Sequence, residues 1–482
     1  MHLTVILRVL GILLMLFSFA SLPSAFVSLY YQDNTYVAFF VAFACTFIVG
    51  LCCWLPVRKH QHELRTRDGF LIVVLFWLVL GFAASLPLYL AMDQITFTDA
   101  FFEAFSGLTT TGATVLTGLD NLPKAILFYR QQLQWLGGIG IVVLAVAVLP
   151  MLGVGGMQLY RAETPGPVKD SKLTPRITET AKALSLIYLW LTIICALAYW
   201  VSGMGLFDAI CHSFSTIAIG GYSTHDASLG YFDSWLIETI AVFFMLLASA
   251  NFSLHFIAWR KRSLKHYFVD PEFRFFLFVF LAIAVITVIT LAVTKTYDDP
   301  LKSFRHGVFE SVSILTTTGF STESFASWPL LLPILLFSSA VMGGCAGSTA
   351  GGMKVARVLL IIKQGYREIK RLIHPQGVFL IKLGKKPVSD KVVQAVWGFF
   401  SVYTLVYIMI MMLLMASGLD FETSWSAAGA SLNNLGPGLG DVANHYGLIN
   451  NFSKWVLCLA MLLGRLEIFT LLVILTPMFW RR

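Results

Sequence analysis

Charge is scarce in this chain: Asp, Glu, Lys and Arg make up only 12% of its 482 residues, while 57% are hydrophobic. Soluble domains carry about twice that share of charge, so a water-dissolved globule of this size is excluded. The seven cysteines (Cys45, Cys52, Cys53, Cys195, Cys211, Cys345 and Cys458) form no CxxC pair and have no histidines at ligand spacing. Neither a disulfide framework nor a zinc site is indicated. HExxH and GxSxG are both missing, and Ser348 has no histidine in its own segment, so an enzyme is not expected. No GxGxxG follows a predicted strand, so any nucleotide control must come from another protein. The basic residues are not interleaved with aromatics, and nucleic acid is not an expected partner.

What the chain does have is apolar length. Mean hydropathy is +0.77, and many windows hold about 20 predominantly apolar residues, enough to cross roughly 30 Å of hydrocarbon as helix. The segment from His2 to about Tyr30 is too long for a signal-peptide core and carries one early positive charge, Arg8; it is read as a retained transmembrane helix. Most of the 34 lysines and arginines fall at Arg8, in loops near 58–68, 161–182 and 260–274, across 354–391, and at Arg481–Arg482. Only Lys124, Arg130, Lys295, Lys302, Arg305, Lys454 and Arg465 lie elsewhere, among acids such as Asp99, Asp120, Asp226 and Glu323. This is the positive-inside pattern; it places the loops near 58–68, 161–182, 260–274 and 363–391 in the cytoplasm of a multi-pass membrane protein. The 363–391 segment suits either anionic lipid or an acidic soluble partner.

These loops cut the chain into blocks at 1–57, 69–160, 180–260, 271–373 and 391–482. The first is a helix pair. Each of the others runs apolar span, short half-polar span, glycine loop, apolar span, with short spans near 98–110, 207–218, 302–316 and 421–433, and second spans near 124–150, 232–258, 329–372 and 447–480. Aligned on Gly112, Gly221, Gly319 and Gly436, the position six before the glycine holds Ser106, Ser215, Ser313 and Ala430; nine before stand Glu103, His212, Glu310 and Ala427. Such self-similarity marks internal repetition. With two full spans each, the repeats start and end on one side, as parallel repeats around a central pore would. The expected fold is therefore an all-α membrane protein: four pseudo-symmetric helix–pore helix–loop–helix repeats around one pore, plus the N-terminal pair.

A dehydrated monovalent cation needs oxygen dipoles in place of its water, and backbone carbonyls of extended loops supply them. Glycine permits the required turns, and a helix of about 13 residues reaches only partway through the bilayer with its negative end at the axis. The loops read Thr110-Thr111-Gly112-Ala113-Thr114, Ile219-Gly220-Gly221-Tyr222-Ser223, Thr317-Thr318-Gly319-Phe320-Ser321 and Asn434-Leu435-Gly436-Pro437-Gly438. Thr110, Thr111, Gly112, Gly220, Gly221, Thr317, Thr318, Gly319, Asn434, Leu435 and Gly436 are the candidate ion-lining residues.

In these motifs, and over essentially the whole chain, the sequence resembles the Trk/Ktr/HKT superfamily of potassium transporters, in particular its bacterial Trk-H branch. The resemblance implies K+ as the permeating ion, a degenerate filter, a homodimer, and a cytoplasmic ring of nucleotide-binding regulatory subunits. In that family glycine in the first loop, here Gly112, accompanies potassium preference. The third repeat's second span is interrupted by Gly343, Gly344, Gly347, Gly351 and Gly352, too many for a quiet helix; the resemblance implies an intramembrane gating loop. Arg465 lies within the last apolar span, and Glu467, two residues on, projects from a different helical face. The resemblance places Arg465 beneath the filter. Symport with sodium or protons stays open beside a channel-like pore, because His212 and Glu310 are either packing or titrating groups.

Overall fold

The structure, a computed structural model, describes residues 3–59, 66–143, 177–329, 331–384 and 386–481. Most of the expected 161–182 loop and the end of the 124–150 span lie outside these residues. Among the described residues the regular structure is helical apart from a two-residue antiparallel pair, Lys382–Leu383 with Lys386–Pro387. Among the described residues, six helical segments are long and apolar enough to cross a membrane by themselves: Leu3–Tyr31, Tyr36–Val57, Arg67–Ala91, Ala181–Val201, Pro271–Val293 and Asp390–Ala416. Their burial is inverted relative to a soluble protein. Phe278, Leu281, Val285 and Ile289 point outward along one span, while Glu103, Arg130, His212, Glu310 and the loop threonines are buried. Only hydrocarbon outside makes that arrangement favourable.

Between the long spans sit four short helices, Phe97–Leu108, Leu206–Ala218, Pro300–Leu315 and Phe421–Leu432. At 12, 13, 16 and 12 residues, and about 1.5 Å per residue, none covers the roughly 30 Å of a bilayer core. Side chains start three of them: Thr96 accepts from Asp99 N, Asp299 from Leu301 N and Asp420 from Thr423 N, each such cap being worth about 1 kcal/mol. Pro300 follows its cap at the first helical position, where the missing N–H is not needed.

Two second spans are not the single helices expected at 232–258 and 447–480. The first breaks by 95° between Trp235–Ala248 and Phe252–Lys261, the second by 114° between Asn451–Arg465 and Phe469–Leu475. In the first, Asn251 restarts the helix by accepting from Ser253 N at 2.8 Å, and the backbone groups freed at the break bond the 343–352 segment: Cys345 N donates to Ser249 O, and Phe252 N to Gly347 O. In the second, Glu467 and Ile468 both take positive φ, and Arg357 holds Glu467 at 2.7 Å. Glu467 thus pairs with Arg357 and not locally with Arg465, although the separation comes from the break after Arg465 and not from opposite faces of one helix. The third second span is also interrupted, between Leu331–Ala340 and Val355–Ile373.

Each second span braces the next repeat. Arg130 of the first reaches Ser223 O of the second at 3.3 Å; Glu238 of the second holds Arg305 of the third at 2.6 Å; Phe337 of the third packs on Trp425 of the fourth; Lys454 of the fourth pairs with Asp99 of the first at 2.6 Å. The braces run in cyclic order. Glu238 and Arg305 are both largely buried, so Glu238→Ala is expected to destabilise by roughly 2 kcal/mol. Adding Arg305→Ala should cost little more, a non-additivity that thermal unfolding in detergent reads directly.

Candidate functional site

All four short helices end in the same way. The backbone N–H groups of Thr111, Gly220, Thr318 and Leu435 donate to the carbonyls of Ser106, Ser215, Ser313 and Ala430 at 2.8–2.9 Å, and those of Thr110, Ile219, Thr317 and Asn434 to Gly107, Thr216, Ile314 and Ser431. This is a Schellman closure, whose left-handed position is usually glycine. Here it is Thr110 (φ 51°), Ile219 (54°), Thr317 (62°) and Asn434 (52°). Left-handed backbone costs an L-residue roughly 1–2 kcal/mol, and for β-branched Thr and Ile it is an outlier held by its surroundings. Two residues on, Gly112, Gly221, Gly319 and Gly436 are also at positive φ, 77–93°.

The glycines then close a ring. A Cβ on Gly112 would collide with the carbonyl of Gly220, on Gly221 with that of Thr318, on Gly319 with that of Leu435, and on Gly436 with that of Thr111. Each loop backbone lies against the next, and the fourth returns to the first. All eleven candidate ion-lining residues are thereby brought into one site. The side chains of the fourth loop and the threonines are committed to protein partners: Thr109 and Thr316 hydroxyls pair with those of Thr111 and Thr318 at 2.8 and 2.7 Å, and Asn434 Nδ2 donates to Thr111 Oγ1 at 2.9 Å. These hydroxyls therefore already have protein partners.

Behind the ring, the positions nine before each glycine tie down the returning limb of their own loop. Glu103 accepts from Val115 N at 2.9 Å and Glu310 from Thr322 N at 2.8 Å, while His212 Nε2 bonds Ser223 Oγ at 2.9 Å. Ala427 cannot, and neighbouring Ser426 takes over by bonding Leu439 N at 2.8 Å. Glu103 also carries the buried Arg130, 2.7 Å away, whose guanidinium stacks over Tyr222.

The same C-terminal ends of the short helices face donors from the third and fourth second spans. Arg465 Nε donates to Thr109 O at 2.8 Å, and its Nη2 also contacts Thr109 O and Thr110 Oγ1. Thr349 Oγ1 donates to Ile217 O at 3.0 Å, Gly351 N to Thr317 Oγ1 at 2.7 Å, and Gly352 N to Asn433 O at 3.0 Å. Every loop is thus underlain by a donor, one from Arg465 and three from the 343–352 segment. Buried Glu272 steadies that segment by accepting from Ala346 N and Ala356 N at 2.6 and 3.2 Å.

The TrkH family profile, described as a cation transport protein, matches residues 36–482. The chain belongs to the TrkH family of cation transport proteins. It is 58% identical over 479 residues to the Trk system potassium uptake protein TrkH of Vibrio parahaemolyticus, covering 99% of both chains, and 59% identical over 483 residues to that of Halomonas elongata, covering 100% of both. The crystal structure of the potassium transporter TrkH from Vibrio parahaemolyticus superposes with a TM-score of 0.93 at 55% identity, covering 100% of each chain.

In this TrkH-family chain the sequence reading missed two groups. The left-handed positions carry no glycine to betray them; only their register two residues before each glycine marks them. Gln134 lies on the second span of the first repeat, yet its amide bonds Gly220 O at 2.6 Å and Tyr222 N at 3.2 Å in the second loop. On the other side of the ring, His225 contacts Asp120 of the first repeat and lies 3.7 Å from Asp208 of its own, with Tyr231 stacked on its ring. Burial alone would lower its pKa, but hydrogen bonds and charge from Asp208 and Asp120 outweigh it and raise the value above the usual histidine range. The protonated clasp therefore stabilises the fold fully below about pH 6.5 and is lost as pH rises through the raised value. His225→Gln should flatten the pH dependence of the thermal midpoint between about pH 6 and 8.

Proposed function

We propose that this chain takes potassium up across a bacterial inner membrane through a channel-like pore, whose filter is the ring of Gly112, Gly221, Gly319 and Gly436 loops. The observation that carries the reading is the cyclic closure of those loops, each glycine seated against a carbonyl of the next. Four equivalent carbonyls, those of Thr111, Gly220, Thr318 and Leu435, recur at the same point of four equivalent turns, which is the arrangement that replaces an ion's hydration shell. Four short helices direct their negative ends to the same place. The relatives' names as Trk system potassium uptake proteins support potassium as the ion.

The gate in this reading is the set of donors under the filter. A hydrated cation leaving the ring would be drawn to the helix-end carbonyls, but Arg465, Thr349 and Gly352 already donate to three of these ends and Gly351 to Thr317 of the other. Arg465 adds a positive charge that competes with the ion, at a site where a charge costs at least a few kcal/mol unless it is held by protein groups. Conduction requires the 343–352 segment and Arg465 to release these groups together. His212 and Glu310 serve here to hold the loops, which favours the channel-like reading over proton symport. Homodimerisation and a nucleotide-binding cytoplasmic ring are part of the same proposal. The basic helix face with Lys363, Arg367, Lys370 and Arg371, half of it already tied to Glu368 and Asp390, is the side offered to that ring or to anionic lipid.

Purified protein in liposomes tests this. Gly319→Ser is expected to lower rubidium-over-sodium uptake about tenfold, equivalent to roughly 1.4 kcal/mol; an unchanged ratio would remove the filter assignment. Arg465→Ala, or shortening 343–352, should raise flux about fivefold, the effect of lowering a barrier by roughly 1 kcal/mol. Flux equal to the parent in both would dispose of the gate.

A further inference from the structure

The second loop differs from the others in having glycine where they have Thr111, Thr318 and Leu435. Backbone conformation does not explain it, because Gly220 is absent from the positions at positive φ. Space does. A Cβ on Gly220 would strike the Cδ, Oε1 and Nε2 of Gln134, a side chain that is itself fully buried. Gln134 reaches this point from the first repeat and bonds both sides of Gly221, donating from Nε2 to Gly220 O and accepting at Oε1 from Tyr222 N. Gln131, one turn earlier on the same helix, extends the contact by donating to Tyr222 O at 3.2 Å.

We propose that Gln134 is a specificity-determining positioning residue of the pore, a side chain supplied by the first repeat that sets the shape and ligand strength of the second filter loop. The proposal rests on the filter reading above. The Gly220 carbonyl occupies the same place in the ring as those of Thr111, Thr318 and Leu435, each against the glycine of the preceding loop in cyclic order. A carbonyl that already accepts a short amide hydrogen bond offers less electron density to an ion, and an amide that grips both flanks of Gly221 fixes where that carbonyl points. The ring therefore has one member whose position and field strength are set from outside its own repeat. Selectivity depends on the number and field strength of such dipoles, so this member tunes the preference among monovalent cations.

The test uses the full chain reconstituted in liposomes, with potassium, rubidium and sodium as the probes. Gln134→Leu removes both hydrogen bonds, and Gln134→Glu keeps the acceptor but loses the donor when ionised. Each is expected to lower the rubidium-over-sodium ratio about fivefold, the scale of one buried hydrogen bond, with Gln131→Leu changing it less. A second pair of variants reads the packing independently of transport. Gly220→Thr alone should lower the thermal midpoint in detergent, and Gly220→Thr with Gln134→Ala should restore most of the loss, since the threonine then fills the space the amide vacated. An unchanged ion ratio in both Gln134 variants would overturn the specificity role. Gly220→Thr as damaging with Gln134→Ala as without it would overturn the packing on which that role depends. A parent protein that does not prefer rubidium to sodium would instead overturn the filter reading itself, so the two failures are distinct.

Discussion

A glycine so close to the carbonyl of the neighbouring loop that no Cβ would fit is repeated four times in this protein, and the rest of the architecture serves that contact. It demands that four backbones meet with no side chain between them, within a membrane where unpaired backbone groups are costly. The Schellman closures satisfy the helix ends, Glu103, His212, Glu310 and Ser426 hold the returning limbs, and each second span reaches across to brace the following repeat. A single chain thus obtains by internal repetition what a symmetric tetramer obtains by assembly, but each repeat is free to differ.

The differences fall where function divides them. Loops one and three share the same threonine pattern, yet the hydroxyl of Thr110 meets a guanidinium and that of Thr317 a backbone N–H. The second loop surrenders a side chain to make room for Gln134, and the fourth uses Asn434 to reach into the first. Quasi-fourfold backbone and unlike side chains coexist because the ring constrains main-chain positions alone. The breaks in the second spans of the second and third repeats follow the same economy: polar backbone exposed at one is satisfied by backbone from the other, as when Ser249 O and Phe252 N bond the 343–352 segment. Unwound segments are stable at membrane depth when protein groups around them satisfy their backbone.

The sequence by itself determined the solvent, the helical class, the repeat and the common glycines, because hydropathy and fixed-register similarity are properties of neighbours along the chain. It also located the short helices to within a residue or two and the interruption after Ala340. The bends at 249–251 and 466–468 were decided only by tertiary structure. Nothing local forbids a helix through Ser249-Ala250-Asn251 or Leu466-Glu467-Ile468; what selects the break is an incoming loop in one case and the pull of Arg357 on Glu467 in the other. The left-handed threonines and Ile219 were hidden for the same reason, since only the closed ring outweighs their local strain. Gln134 was out of reach altogether, because its partner lies 86 residues away in another repeat and the only trace left in the sequence is an absent side chain at Gly220.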